Sequence, residues 1–187
     1  MELTDFILDP TRILPIVTYP HPVLKEPTEN VSLYDEELKD LVHTMLNVMY
    51  FEPGCGLSAN QVGVSKRIFV SDTDYSREEV DGEVVFSNLK PRVFINPRYI
   101  NTSGEQLCEE GCLSFPGLTV EVVRHKELTV EFEGIDGKTY TLNASDFFAN
   151  CIQHENDHLE GITFLDRLSP VKRNLAERKY LKKRRQK

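Results

Sequence analysis

The stretch Gln153-His154-Glu155-Asn156-Asp157-His158 contains the pattern H-E-x-x-H, and it decides how the rest of the sequence is interpreted. On a helix, His154 and His158 lie one turn apart on the same face, so both imidazoles can reach one metal ion. Glu155 lies next to the first histidine and can reach a water molecule on that metal. A catalytic site usually has three protein ligands and one open position, so the rest of the chain is expected to supply a third ligand.

Local signals predict that residues 147–159 form a helix. Ser145 and Asp146 are typical of a helix N-terminus, and Gly161 is typical of a residue that ends one. The alternative interpretation is a surface helix with two solvated histidines. A third ligand elsewhere in the chain would favour the metal site over this alternative.

Length and composition are those of an ordinary globular protein. The chain has 187 residues, of which 40% are hydrophobic and 28% charged, and this size predicts one domain with a real core. No apolar run approaches the length of a membrane span, and the first residues lack the features of a signal peptide, so we expect a cytoplasmic protein. Reduced thiols are then expected at the four cysteines, Cys55, Cys108, Cys112 and Cys151.

Charge is distributed unevenly along the chain. Residues 171–187 contain nine Lys or Arg and one Glu, a local charge of +8, which leaves −16 on the other 170 residues. Ser169-Pro170 is typical of the start of a last helix, so we divide the chain into a domain at 1–168 and a basic helix or tail at 169–187. The tail is predicted to contact an anionic surface such as RNA, with a solvated basic helix as the alternative.

Periodicity predicts an α+β fold in which short antiparallel sheets surround the H-E-x-x-H helix. An amphipathic helix is predicted at about 32–50. The segment 74–81 is charged and is predicted to be a loop. Alternating or short apolar runs predict five strands, at 67–72, 91–95, 118–124, 128–132 and 138–142.

Cys112 is the best candidate for the third ligand. It lies in Glu109-Glu110-Gly111-Cys112-Leu113-Ser114-Phe115-Pro116, where Gly111 allows the backbone to bend and bring the sulfur in. A thiolate binds zinc or iron tightly. The alternative is a small buried thiol that only fills space.

Three motifs in this order resemble the peptide deformylase family: G-x-G-L-[S/A]-A-x-Q at 54–61, E-G-C-L-S at 110–114 and Q-H-E-x-D-H-L at 153–159. The resemblance extends over nearly the whole chain, as far as Leu168. One departure is Ser58, where the family more often has alanine. The family removes the formyl group from the initiator methionine of new bacterial or organellar chains.

The resemblance implies a role for each motif residue. Cys112, His154 and His158 correspond to the family's metal ligands, and Glu155 corresponds to its general acid and base. The Leu113 N–H and the Gln61 side-chain amide correspond to the donors that stabilise the oxyanion. The implied cofactor is one divalent ion per chain, Fe(II) natively, with zinc, nickel or cobalt possible in preparations.

The implied substrate is an extended N-formylmethionyl peptide that pairs with the Gly56 region on one side and with the strand after E-G-C-L-S on the other. The methionine pocket is expected on the helix face leading into His154. Asn150 is polar where an aliphatic residue is expected, and core packing is the alternative role for the apolar helix residues. The expected substrate-binding residues are Cys55, Gly56, Cys108, Glu110, Phe147, Asn150 and Cys151.

Two other functions remain open at this point. A zinc peptidase of the H-E-x-x-H type usually takes its third ligand from a downstream helix, and only the basic tail follows here. A non-catalytic, metal-stabilised module that binds RNA or the ribosome would need a closed site with four ligands. We expect nascent formylmethionyl peptides as partners, with the ribosome surface as a further one, and neither a membrane nor a specific nucleic-acid sequence. The expected location is a bacterial-type cytoplasm, with an organelle as the alternative.

Overall fold

The computed structural model describes residues 6–185, in which an antiparallel five-stranded sheet has the order β1-β2-β5-β8-β9. Two further hairpins, β3-β4 and β6-β7, flank this sheet. Strands and helices together confirm the predicted α+β class. The sheet strands are β1 (Gly56–Ser58), β2 (Ile68–Ser71), β5 (Arg92–Ser103), β8 (Glu127–Glu133) and β9 (Thr139–Ser145). The hairpin strands are β3 (Ser76–Val80), β4 (Glu83–Ser87), β6 (Gln106–Gly111) and β7 (Thr119–Arg124).

The H-E-x-x-H segment forms the central helix α2 (Asp146–Leu159), as predicted. Ser145 occupies its N-cap position, although the serine side chain makes no capping hydrogen bond. At the other end the Gly161 N–H donates to the His158 carbonyl at 3.1 Å, and the Ile162 N–H donates to the Asp157 carbonyl at 2.9 Å. This pair of bonds is a Schellman motif, and it requires the left-handed φ of +68° that Gly161 adopts. The helix therefore ends where the glycine predicts.

Helix α1 (Glu36–Phe51) packs on the sheet through its apolar face. It begins at Glu36, later than the predicted residue 32, because the Asp35 carboxylate caps it by accepting the Leu38 N–H at 3.0 Å. Leu38, Val42, Met45 and Met49 are fully buried in the core cluster on this side of the sheet. The helical periodicity of these residues was therefore a correct signal for burial.

The strand predictions needed correction at three places. The segment 74–81, predicted to be a loop, contains β3, which pairs with β4. Both strands are mostly exposed on both faces, so their sequence lacks the alternation that identifies a half-buried strand. Strand β6 was not predicted, and β5 extends past residue 95 to Ser103, with Pro97 at an irregularity in its pairing with β8.

The basic C-terminal segment forms helix α3 (Pro170–Arg184), with Ser169 at its N-cap as predicted. Tyr180 is the buried residue of this helix, at 4% exposure, and its ring lies 5.3 Å from the Phe115 ring. The Arg184 guanidinium also donates to the Tyr19 carbonyl. Helix α3 is thus packed on the body of the protein, while the division at residue 168 stays a prediction.

The described helices include none that is both long enough and apolar enough to cross a bilayer. α3, the most charged of the three α-helices described, carries basic residues throughout its length. Its first and middle turns expose the side chains of Lys172, Arg178 and Lys179.

We expect Tyr180→Ala to destabilise the whole protein, by about 3 kcal/mol or more, because it leaves a cavity between Phe115 and α3. Chemical denaturation should measure this loss as a lower midpoint. Lys179→Ala, which changes the exposed neighbour, is the control and should change the free energy of unfolding by less than about 0.5 kcal/mol. Equal stability of the two variants would mean that α3 does not contribute to the core.

Candidate metal centre

Cys112, His154 and His158 come together at the end of β6 and the middle of α2. One donor atom from each lies within 4.8 Å of the others. The Cys112 Sγ and His158 Nε2 atoms are 3.3 Å apart. In a tetrahedral site with metal–sulfur and metal–nitrogen bonds of about 2.3 and 2.0 Å, two such ligand atoms are about 3.5 Å apart. The three side chains therefore fit one metal ion.

A buried carboxylate orients the first histidine. The His154 Nδ1–H donates to Glu110 Oε2 at 2.9 Å, which leaves Nε2 as the metal-binding nitrogen. Glu110 in turn accepts two hydrogen bonds from Arg124, at 2.8 and 3.0 Å. Arg124 also pairs with Asp157, which accepts a further hydrogen bond from Arg167. Glu110 thus contacts one of the three candidate ligands, and it also lines the cavity where the sequence predicted substrate binding.

The buried charges set opposite pKa shifts on the two histidines. Burial lowers the pKa of His154, but hydrogen bonds with Cys112 and Glu110 outweigh it and raise this pKa well above its ordinary value. Burial and the nearby positive charges of His154 and Arg124 lower the pKa of His158 well below its ordinary value. A metal ion would therefore have to displace a proton from His154, which makes metal binding depend on pH.

Glu155 follows His154 in the chain and is not one of the three residues in the donor cluster found among residues 6–185. Its side chain is buried, and its Oε2 atom has no hydrogen-bond partner within residues 6–185. Burial raises the pKa of the Glu155 carboxyl to about 8, although the charge of His154 opposes this. A Cβ atom on Gly56 would come within 2.7 Å of the Glu155 carboxylate, so only glycine allows β1 to approach so closely.

The Gln61 side-chain amide faces the cysteine ligand. Its Nε2 atom lies 3.5 Å from Cys112 Sγ and 3.3 Å from Ser114 Oγ. Its Oε1 atom accepts hydrogen bonds from the Ser58 N–H at 3.0 Å and from the Ser58 hydroxyl at 2.8 Å. Ser58 therefore fixes the amide so that its donor side points toward the ligands. Ser58 stands where the family more often has alanine, and its hydroxyl adds a hydrogen bond at the site.

A cavity of about 460 Å³ opens beside Glu155 and His154. Six of the seven residues predicted to bind substrate line it: Cys55, Gly56, Glu110, Phe147, Asn150 and Cys151. Cys108, the seventh, lies on β6 two residues before Glu110 and is not among the lining residues. The Cys151 Sγ donates to the Cys55 carbonyl at 3.3 Å, so both cysteines belong to the same wall. All four cysteines are free thiols.

Sequence reasoning missed the residues that support the ligands. Arg124, Asp157 and Arg167 form the ion-pair network behind Glu110. Asp157 lies inside the H-E-x-x-H stretch. Because a buried charge needs a partner of opposite charge, an aspartate on this central helix could have indicated a buried ion pair. Nothing local in the sequence indicated that the partner would be Arg124 on β7.

These features define a class of protein, a hydrolase that uses one metal ion. The family described as Polypeptide deformylase matches residues 13–174 of this chain. The peptide deformylase of Acidobacterium capsulatum is 40% identical over 173 residues, which cover 92% of this chain and 96% of that protein. The peptide deformylase of Syntrophobacter fumaroxidans is 43% identical over 171 residues, covering 91% and 95%.

Solved structures agree with the sequence relatives. The crystal structure of a peptide deformylase from Legionella pneumophila superposes with a TM-score of 0.81 at 37% identity, covering 92% of this chain and 96% of that one. A Synechococcus elongatus peptide deformylase in complex with actinonin gives a TM-score of 0.77 at 36% identity, covering 95% and 90%. The chain belongs to the polypeptide deformylase family. It is a metal-dependent hydrolase that removes the N-formyl group from newly made polypeptides.

We expect Glu110→Gln to weaken metal binding by about 10- to 100-fold, because the neutral amide no longer holds the His154 ring as a carboxylate does. Competition with a coloured chelator measures the affinity. Glu109→Gln removes the same charge from the exposed neighbouring residue and should leave the affinity unchanged. Equal affinities in the two variants would show that Glu110 does not orient the ligand.

Proposed function

We propose that Cys112, His154 and His158 hold the metal ion and that Glu155 is the general acid and base of deformylation. The observation that carries this proposal is the position of Glu155, whose buried and unpartnered Oε2 lies beside a cluster of three ligand atoms. The bound ion would polarise the formyl oxygen and lower the pKa of water. Its positive charge would also favour the ionised form of Glu155, opposing the effect of burial on the pKa of this carboxyl.

Glu155 would move one proton during each turnover. Its carboxylate takes the proton from the attacking water and later returns it to the amine that leaves the formyl carbon. A Cβ atom on Gly56 would lie 2.7 Å from the Glu155 carboxylate, so the β1 backbone approaches this group closely. Glu155 also lines the cavity, so its carboxyl group can reach a substrate bound there.

Two donors are proposed for the oxyanion that develops on the formyl oxygen. The Gln61 amide is held by Ser58 with Nε2 toward Cys112, so it needs no reorientation when charge develops. The Leu113 N–H follows the cysteine ligand directly in the chain, so the ligand fixes its position. The hydrogen bonds from Ser58 support a fixed orientation of the Gln61 amide before the substrate binds, which is the condition for effective electrostatic stabilisation.

The peptide would lie in extended form along the cavity. Strand β1 is at the edge of the main sheet, and the cavity runs from Gly56 on β1 to Thr119 at the start of β7. An added strand can pair with such an edge, while alternate side chains enter pockets. The first side chain would enter the recess formed by Cys55, Phe147 and Cys151, with Asn150 also in its wall.

Fe(II) is the metal that we propose for the native enzyme. The donor set of one thiolate and two imidazoles suits either iron or zinc, and nickel or cobalt can replace them. Within residues 6–185 the cluster has three such protein donors, which leaves a coordination position for water or substrate. This open position argues against the non-catalytic, four-ligand module, and the upstream cysteine argues against an H-E-x-x-H peptidase.

We expect Glu155→Gln to keep its metal and to lose about 10²- to 10⁴-fold in kcat for formate release from a formyl-Met peptide. The amide occupies the same volume but cannot take up the proton. Metal content by atomic emission and formate release by a coupled assay measure the two effects separately. Full activity would refute the acid–base role, and loss of metal would make Glu155 a ligand.

Cys112→Ser should lose its iron during anaerobic dialysis, because a hydroxyl is a much poorer ligand than a thiolate. Cys55→Ser and Cys108→Ser provide matched controls and should retain iron. Cys55 belongs to the cavity wall, whereas Cys108 lies on β6 before Cys112, so together they test two of the three other thiols. Equal iron loss in all three variants would indicate a thiol cluster instead of a single ligand.

The exposed face of α3 is proposed to hold the enzyme near the ribosome, where formylated chains emerge in the cytoplasm. Lys172, Arg178, Lys179 and Lys182 are exposed and lie along one side of the helix. Lys183 and Arg184 contact the body of the protein instead, through the carbonyls of Gly117 and Tyr19. Binding to a polyanionic RNA surface through the exposed set should weaken as salt rises.

Changing Lys172, Arg178, Lys179 and Lys182 to Glu should abolish co-sedimentation with ribosomes at low salt and leave hydrolysis of a free formyl-peptide unchanged. Truncation of α3 is unsuitable, because it would remove Tyr180 from the core. A control variant changes four exposed lysines of the body to Glu, namely Lys39, Lys90, Lys126 and Lys138. If both variants lose ribosome binding equally, net charge and not α3 is responsible.

A further inference from the structure

Asn150 is a buried polar residue whose role is not explained by folding. It lies on α2 one turn before His154, is 6% exposed and lines the cavity beside Glu155. Its Oδ1 atom has no hydrogen-bond partner in the part of the chain that the structure describes. The Cys151 thiol in the same wall is paired, with the Cys55 carbonyl at 3.3 Å. The amide acceptor of Asn150 is therefore left unpaired by the described part of the protein.

The unpaired amide of Asn150 is unfavourable for the stability of the folded protein. A buried acceptor without a partner destabilises the folded state unless water or a ligand pairs with it. An aliphatic residue would fill this helix position without that cost. The structure accordingly keeps a polar group beside Cys55, Phe147 and Cys151 in the cavity lining.

The position of the amide relative to the reacting atoms identifies what it would contact. The formyl carbon is bonded to the nitrogen of the first residue, so the side chain of that residue begins only a few bonds from the reaction. A formyl group placed between Glu155 and the ligand cluster therefore directs this side chain into the adjoining cavity. Asn150 and His154 lie one turn apart on the same face of α2, so the amide borders the part of the cavity that this side chain would enter.

We propose that Asn150 is a specificity determinant, and that its amide favours a formylated first residue whose side chain can form a hydrogen bond at its far end. This inference rests on the proposed function. A thioether accepts a hydrogen bond only weakly, a carboxamide both donates and accepts, and a hydrocarbon does neither. A hydrocarbon beside Asn150 leaves the amide unpaired, so it binds less well than its size alone predicts.

Three peptides that differ only at the first residue test the inference: formyl-methionyl, formyl-norleucyl and formyl-glutaminyl, each followed by the same two residues. Norleucine has the length of methionine without the sulfur, and glutamine ends in a carboxamide. We measure kcat/KM for formate release by the iron-loaded wild-type protein and by Asn150→Leu. The informative quantity is the ratio of glutaminyl to norleucyl peptide within each protein, because it cancels differences in metal content and folding.

Asn150→Leu should lower the glutaminyl-to-norleucyl ratio by about tenfold or more and bring the methionyl-to-norleucyl ratio toward one. Asn150→Ala should lower the same ratio, and it provides a second variant in case the leucine does not fit. Phe147→Leu changes the shape of the same wall without removing the amide, so it should change all three rates together and leave the ratio near its wild-type value.

A glutaminyl-to-norleucyl ratio that stays within about twofold of wild type in both Asn150 variants would overturn the inference while leaving deformylation intact. An equal fall in the ratio for Phe147→Leu would also overturn it, since cavity shape and not the amide would then be selecting. If the wild-type protein releases formate from none of the three peptides, the proposed function fails and this inference fails with it.

Discussion

The hydrogen bond from His154 Nδ1 to Glu110 joins the two parts of the chain that form the metal centre. Glu110 lies on β6 shortly before Cys112, while His154 and His158 lie on α2. The same carboxylate pairs with Arg124 on β7, so it connects the hairpin with the helix. Because hydrogen bonds from His154 and Arg124 overcome the effect of burial and lower the pKa of Glu110 to about 2, the carboxylate stays charged throughout the physiological range. The ligand geometry therefore depends on this contact.

A buried network of charged side chains such as this one orients the groups that it joins more than it stabilises the fold. Charges removed from water are costly, and a well-packed apolar cluster of the same volume is often as stable. Removing one partner leaves the others unpaired, which costs much more. Arg124 and Asp157 are both nearly inaccessible, so the network admits one arrangement of the hairpin on the helix. The hairpin and the helix that this network joins carry Cys112 Sγ and His158 Nε2, which lie 3.3 Å apart.

The parts of the fold and site that could be predicted are those with local signals. The H-E-x-x-H helix, its end at Gly161 and the start of α3 at Ser169 follow from residues within one or two turns. Cys112 was predicted because a thiol preceded by Gly111 is a recognisable ligand type, and it joins the histidines in the structure. Local sequence signals were thus sufficient to predict features that lie within a single helix or motif.

Other features depend on partners that are distant in the sequence. Strands β3 and β4 pair with each other while both faces stay exposed, so no alternation of apolar residues identifies them. Glu110 was predicted to contact substrate, but its partners Arg124 and His154 are visible only after β6, β7 and α2 have packed. Cys108 was assigned to the cavity by motif position, although the strand carries it away from the lining.

Helix α2 shows where the chain departs from the usual rules of burial. Most of its buried polar side chains are paired: Gln153 bonds to the His125 backbone, and Asp157 bonds to two arginines. Of the five buried side-chain polar atoms without a partner in residues 6–185, four nevertheless belong to this helix. Two of these belong to Glu155 and Asn150, which line the cavity. Unpaired buried groups are expected at functional sites more than elsewhere, which agrees with the proposed roles of Glu155 and Asn150 toward substrate.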